Sequence, residues 1–99
     1  MVTPDAFRRS LAESAPPENL SDALQSLWWA GKADWDKAHR IVMESSGAES
    51  AWVHAYLHRV EGDLGNATYW YRAARRPPAD GPLPDEWDAI VGTLLSATK

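Results

Sequence analysis

Ninety-nine residues with a formal charge of -4 and no cysteine fit one domain, which at that size buries somewhat over 60% of its unfolded surface. The missing thiols exclude disulfides, thiolate metal sites and a cysteine nucleophile, and the acidic balance argues against nucleic-acid partners, whose affinity comes chiefly from Lys and Arg on phosphates. Apolar runs of only a few residues fall far short of the roughly 20 needed to span a bilayer, and residues 1–20 lack a cationic start followed by an apolar block, so a cytoplasmic, unprocessed chain without membrane contact is expected.

Thr3, Pro4 and Asp5 read as an N-cap, a proline at the first helical position and an acid in the first turn, which predicts a short helix to about Glu13. Pro16 and Pro17 stop it. Ser21 caps a second helix with Ala23, Leu24, Leu27 and Trp28 on one stripe, ending near Gly31. Asp34 caps a third that reaches about Ser46 before Gly47 breaks it. A fourth runs from about Glu49 to Glu61 and ends at Gly62. Asp63 caps a fifth that continues to Arg76, where Arg72, Arg75 and Arg76 complement the negative end of the helix dipole. Pro77, Pro78, Gly81 and Pro82 then form a linker. The last helix starts at Pro84, carries Asp85, Glu86 and Asp88 in its first turn, and buries Trp87, Ile90, Val91, Leu94 and Leu95.

No segment alternates apolar and polar residues for long enough to read as a strand, and the connections between helices two and five are short. The fold class expected is all-α, with antiparallel helical hairpins. At about 100° per residue, Trp52, Val53, Tyr56, Leu57 and Val60 of the fourth helix share an arc of about 140°. That stripe needs a cover, from this chain or from a partner.

Two segments repeat. Asp34-Trp35-Asp36-Lys37-Ala38 and Asp63-Leu64-Gly65-Asn66-Ala67 each place an Asp, a large apolar residue and an Ala at one spacing. Superposing Ala38 on Ala67 also aligns Val42 with Tyr71 and Ser45 with Ala74. Small residues there let the neighbouring helix approach, and large ones fill the gap between hairpins, which is the logic of a helical solenoid. On Gly62, Asp63, Leu64, Ala67, Tyr71 and Ala74, with Ala55 at the small position of the preceding helix, the chain resembles the tetratricopeptide repeat family. The first unit departs from the pattern: Lys32 and Ala33 follow Gly31, Ser26 takes the small position, and the units are offset by 29 residues. The resemblance covers about residues 21–76, as units of about 21–46 and 49–76, and implies a single domain over 1–99 with terminal capping helices, the C-terminal one spanning about 84–97.

That resemblance implies a concave surface for extended or helical peptides, lined by Leu20, Ala23, Leu27 and Ala30 and then by Glu49, Trp52, Tyr56 and Arg59. Trp52, Tyr56 and Arg59, joined by Trp29, make the expected partner-binding set, since aromatics and Arg dominate binding hot spots. The competing expectation is that the last helix fills the groove and makes Trp52 and Tyr56 core. Six Trp and three Tyr against one Phe leave many amphipathic rings to place. In Trp28-Trp29 one ring packs inside and the other reaches a neighbouring helix or a partner. In Tyr69-Trp70-Tyr71 the expectation is Tyr71 inward, Trp70 at the flank and Tyr69 opposed, which motivates self-association as homo-oligomer.

His54, His58 and Glu61 lie at i, i+4 and i+7, within an arc of about 60° opposite the apolar stripe. Two imidazoles and a carboxylate suit zinc or another borderline metal, but Ala55 stands where helical metalloproteases carry Glu. A solvated face is the expectation, with His54, His58 and Glu61 as weak metal candidates and His39 as a boundary histidine rather than a third ligand. Asp34, Asp36, Asp85, Glu86 and Asp88 are explained by helix starts. Ser10, Ser45 and Ser46 have no base at a recognisable spacing, and there is no glycine-rich phosphate loop. The chain therefore reads as non-enzymatic and without cofactor: a protein- or peptide-binding helical-repeat adaptor, with a structural homo-oligomer or a metal- or ligand-binding helical protein as alternatives.

Overall fold

The short polar side chains that mark helix starts in the sequence each cap one. Thr3 Oγ1 accepts from the Ala6 amide at 3.1 Å, Ser21 Oγ from Leu24 at 3.2 Å, Asp34 Oδ1 from Lys37 at 3.1 Å and Asp63 Oδ1 from Asn66 at 3.2 Å. Each bond satisfies one of the amides that a helix N-terminus leaves without an internal partner. In the computed structural model, which describes residues 2–97, the helices are α1 (Pro4–Arg9), α2 (Asp22–Gly31), α3 (Trp35–Met43), α4 (Ala48–Glu61), α5 (Leu64–Ala74) and α6 (Leu83–Ala97), with a 3-10 turn over Ser10–Ala12. Among the described residues there is no strand, and no helix is long and apolar enough to cross a membrane.

Element ends differ from expectation where the backbone changes hand or pitch. The first helix tightens into the 3-10 turn at Ser10, whose hydroxyl donates to the Phe7 carbonyl at 2.6 Å. The third stops at Met43, short of Ser46, and Ser45 Oγ instead pairs with Ser50 Oγ across the turn at 2.8 Å. The fifth stops at Ala74 because Arg75 turns left-handed at φ 58°, and the Arg76 amide closes back on the Tyr71 carbonyl at 3.0 Å. Arg76 then lies over the Trp52 ring, 3.8 Å from its centroid, a cation–π contact in addition to any dipole effect.

The two hairpins α2–α3 and α4–α5 turn in the same way. Ala33 (φ 64°) and Gly62 (φ 86°) are both left-handed, and the next residue's amide, Asp34 or Asp63, bonds at 2.9 Å to the carbonyl of Trp29 or His58. Ala38 and Ala67 are buried at the helix contacts, and Ser26 Oγ donates to the Ala38 carbonyl at 2.7 Å, so the serine fits that small position by giving its hydroxyl a backbone partner. Gly65 permits no close approach, since a Cβ there would meet only Asp63 Oδ1 at 3.9 Å.

α4 is the central element. Residues 50–58 are all buried, with α2 and α3 on one side and α5 and α6 on the others. This overturns the expectation of a solvated histidine face, because a helix covered all round has no such face. The expected stripe also shortens, since Val60 is 42% exposed near the helix end. α6 turns back over α1, α2 and α4 rather than running along α5, and Leu64, the counterpart of the packed Trp35, is left exposed. The core joins Phe7, Leu24, Leu27, Trp28, Val53, Leu57, Tyr71 and Ile90. Two of its tryptophans have their N–H groups paired: Trp28 donates to Ser10 Oγ at 2.9 Å and Trp87 to the Leu27 carbonyl at 2.8 Å.

Candidate functional site

The groove expected along the first helix of each hairpin is occupied by α6. Trp52 and Tyr56 are buried. Arg59 is engaged on the same face, with Nη1 donating to Glu86 Oε1 at 2.6 Å and Nη2 to the Gly81 carbonyl at 2.7 Å. Glu86 is itself buried and accepts a second bond from the Tyr71 hydroxyl. Placing Glu86 among helix-start acids missed this role: an acid in a first turn looks alike whether it faces solvent or a guanidinium 27 residues away in sequence. Burial, then Glu86, pushes the Tyr56 phenol up to about 12. Burial and the bond to Glu86 also push the Tyr71 phenol up, and the Arg59 guanidinium is held further toward its charged form by the Glu86 hydrogen bond. Trp29 is half-buried, edge-on to Trp28, with Lys37 Nζ 3.9 Å from its centroid.

What remains open beside Tyr56 is a cleft of about 370 Å³ between α1, α2 and α6. Leu11, Tyr56, Leu83, Pro84 and Trp87 supply apolar walls, and Arg8 and Asp88, paired at 2.9 Å, stand among its lining residues. Gly31 lets these walls close together, for a Cβ there would stand 3.0 Å from Leu11 Cδ1 and 3.1 Å from Trp87 Cζ2.

The second constellation sits where α3, α4 and α5 meet. His54 and His58 are buried on α4 and His39 reaches them from α3. His54 Nε2 and His39 Nε2 are 3.1 Å apart, and His58 Nδ1 is 2.6 Å from Glu61 Oε1. Aromatic rings hold the imidazoles: Trp35 stacks on His39 at 4.5 Å between centroids, Trp70 on His54 at 3.9 Å, and His54 on His58 at 5.0 Å. Trp35 is anchored in turn by its N–H on the Leu57 carbonyl at 2.7 Å. Burial, then the neighbouring imidazoles of His39 and His58, pushes His54 down to about 4, and burial followed by His58 lowers His39. Both rings are thereby kept neutral near pH 7, with a lone pair on one nitrogen of each.

The sequence pairing of His54 with His58 holds in space. Glu61 joins them through His58, and His39 is the member that sequence reasoning set aside. No local signal marks it, because its approach depends on the register in which α3 packs on α4. The expected order of the three neighbouring aromatics does appear: Tyr71 is buried, Trp70 half-buried and Tyr69 exposed. No family model matches the chain, and comparison with curated proteins and with solved structures finds no match either.

Proposed function

We propose that the chain is a non-enzymatic cytoplasmic interaction module, a short tetratricopeptide-like pair of hairpins that binds a protein or peptide partner. The observation that carries this reading is the apolar cleft at Tyr56, a cavity of about 370 Å³ with the charged pair Arg8 and Asp88 beside its apolar walls. Such a cleft suits one inserted apolar side chain, with the pair offering hydrogen bonds to the backbone that carries it. Of the residues expected to bind, Tyr56 contributes a wall, whereas Trp52 is buried under Arg76 and Arg59 is engaged by Glu86 and the Gly81 carbonyl.

A displayed peptide library selected on the immobilised protein tests this. The peptides recovered should carry one invariant large apolar residue, and Leu83→Glu, at the half-buried cleft wall, should weaken them by about 10-fold or more, the worth of roughly 1.4 kcal/mol. Circular dichroism must show the variant as helical as the parent. A library that yields no binder, or binders indifferent to Leu83→Glu, ends the reading.

A further inference from the structure

We propose that His39, His54 and His58 form a three-histidine binding site for a divalent transition metal, zinc foremost, with Glu61 orienting the His58 ring from its far nitrogen. The proposal is independent of the cleft and of any peptide partner.

One ring nitrogen from each of the three histidines lies within 4.8 Å of the others. A tetrahedral zinc with Zn–N bonds of about 2.0–2.1 Å holds its ligand atoms about 3.3–3.4 Å apart. The pair His39 Nε2 and His54 Nε2, at 3.1 Å, already has nearly that spacing. A ligand atom of His58 lies within 4.8 Å of both, so that ring has to move inward to close the triangle. Its Nδ1 is engaged by Glu61 at 2.6 Å, so Nε2 is the atom left to ligate. A carboxylate on the outer nitrogen fixes the tautomer and raises the ligand's basicity, the arrangement typical of metal-bound histidine.

Proton placement is consistent with this. The contact between His39 and His54 uses one N–H and one lone pair. On metal binding, the ring that donates shifts to its Nδ1–H tautomer, moving a proton between its own nitrogens through water, and both Nε2 lone pairs face the ion. Three neutral imidazoles leave a fourth position to water. They suit zinc, copper or nickel and not magnesium or calcium, which require oxygen ligands. His39 is half-buried at the outer edge of the cluster and gives a way in.

The stacked rings have a bland explanation, an aromatic cluster that fills the junction of three helices, and the experiment must separate the two. Chelator-treated, tag-free full-length protein is titrated with Zn²⁺ by calorimetry, and with Co²⁺ by visible absorption to read coordination geometry. Expected are one ion per chain, a tetrahedral Co²⁺ spectrum and a raised thermal midpoint with Zn²⁺. His39→Gln, at the half-buried edge of the cluster, should lower affinity by more than the about 10- to 100-fold that losing an orienting partner costs, and Glu61→Gln by about 10- to 100-fold, with circular dichroism showing both variants as helical as the parent. Absence of stoichiometric binding overturns the proposal. So does affinity that survives His39→Gln but falls with Asp63→Asn, because the ion would then sit on the neighbouring set His58, Glu61 and Asp63.

Discussion

At the scale of single residues, the most consequential side chain is Glu86. A buried carboxylate is costly unless its charge is matched and its lone pairs are used, and Arg59 and the Tyr71 hydroxyl supply both. Tyr71→Phe removes one donor from a buried group and should cost about 1–3 kcal/mol at neutral pH. It should also change the alkaline limb. A phenol whose folded pKa lies above its unfolded value near 10 stabilises the fold fully below that value and loses the contribution as pH rises through the folded one. Burial and the Glu86 bond raise Tyr71 in this way, as burial raises Tyr56. The parent should therefore lose stability from about pH 10 upward, by no more than about 1.4 kcal/mol per pH unit for each tyrosine, and Tyr71→Phe should halve that slope. Urea unfolding at about pH 8 and about pH 11 checks both effects, and equal slopes in parent and variant would refute the assignment. Nothing in the sequence distinguished Glu86 from its neighbours Asp85 and Asp88, since its difference lies in what α4 and α5 bring to it.

Among the helices and their joints, what local chemistry decides was readable and what packing decides was not. The caps at Thr3, Ser21, Asp34 and Asp63 and the turn at Gly62 follow from residue type alone, because a short oxygen side chain or a missing Cβ solves a backbone problem within four residues. The turn at Ala33 is the exception. It adopts φ 64° with an alanine, in a region where a Cβ costs about 1–2 kcal/mol, while the equivalent position in the second hairpin is Gly62. Ala33→Gly should therefore stabilise the protein by up to about 1 kcal/mol, the relief of strain being partly offset by a more flexible unfolded chain. Asp34→Ala should cost about 0.5–2 kcal/mol through loss of the cap. Thermal unfolding of the two variants reads both signs, and a destabilised Ala33→Gly would mean that the left-handed turn is not strained. The histidines show the opposite case. Their spacing along α4 was legible, but a polar stripe opposite an apolar one predicts solvent, and α3 and α5 cover it instead.

For the molecule as a whole, the all-helical class and the hairpin pairing were legible because both arise from period and turn length. The course of α6 was not, because its apolar residues specify a buried face without specifying against which helices it is buried. By crossing to α1 and α2, through Trp87 on the Leu27 carbonyl and Arg8 on Asp88, it covers the face of α2 and α4 that was expected to stay open and leaves Leu64 and Tyr69 outside. That placement decides what Trp52→Ala does. On an open groove the substitution would remove a binding anchor and spare the fold. Here the residue is 9% exposed and carries Arg76 against its ring face, so truncation leaves a cavity beneath Arg76 and frees a cation that had stacked there. Loss of a buried tryptophan costs about 3–5 kcal/mol, a large share of the about 5–15 kcal/mol that holds a domain of this size together. Trp52→Ala should thus lower the unfolding midpoint steeply and reduce helicity at 37 °C, while Arg76→Ala, which keeps the ring in place, should have a far smaller effect. A Trp52→Ala protein as stable as the parent would show that the ring contributes little to the core, and would return Trp52 to the set of candidate partner contacts.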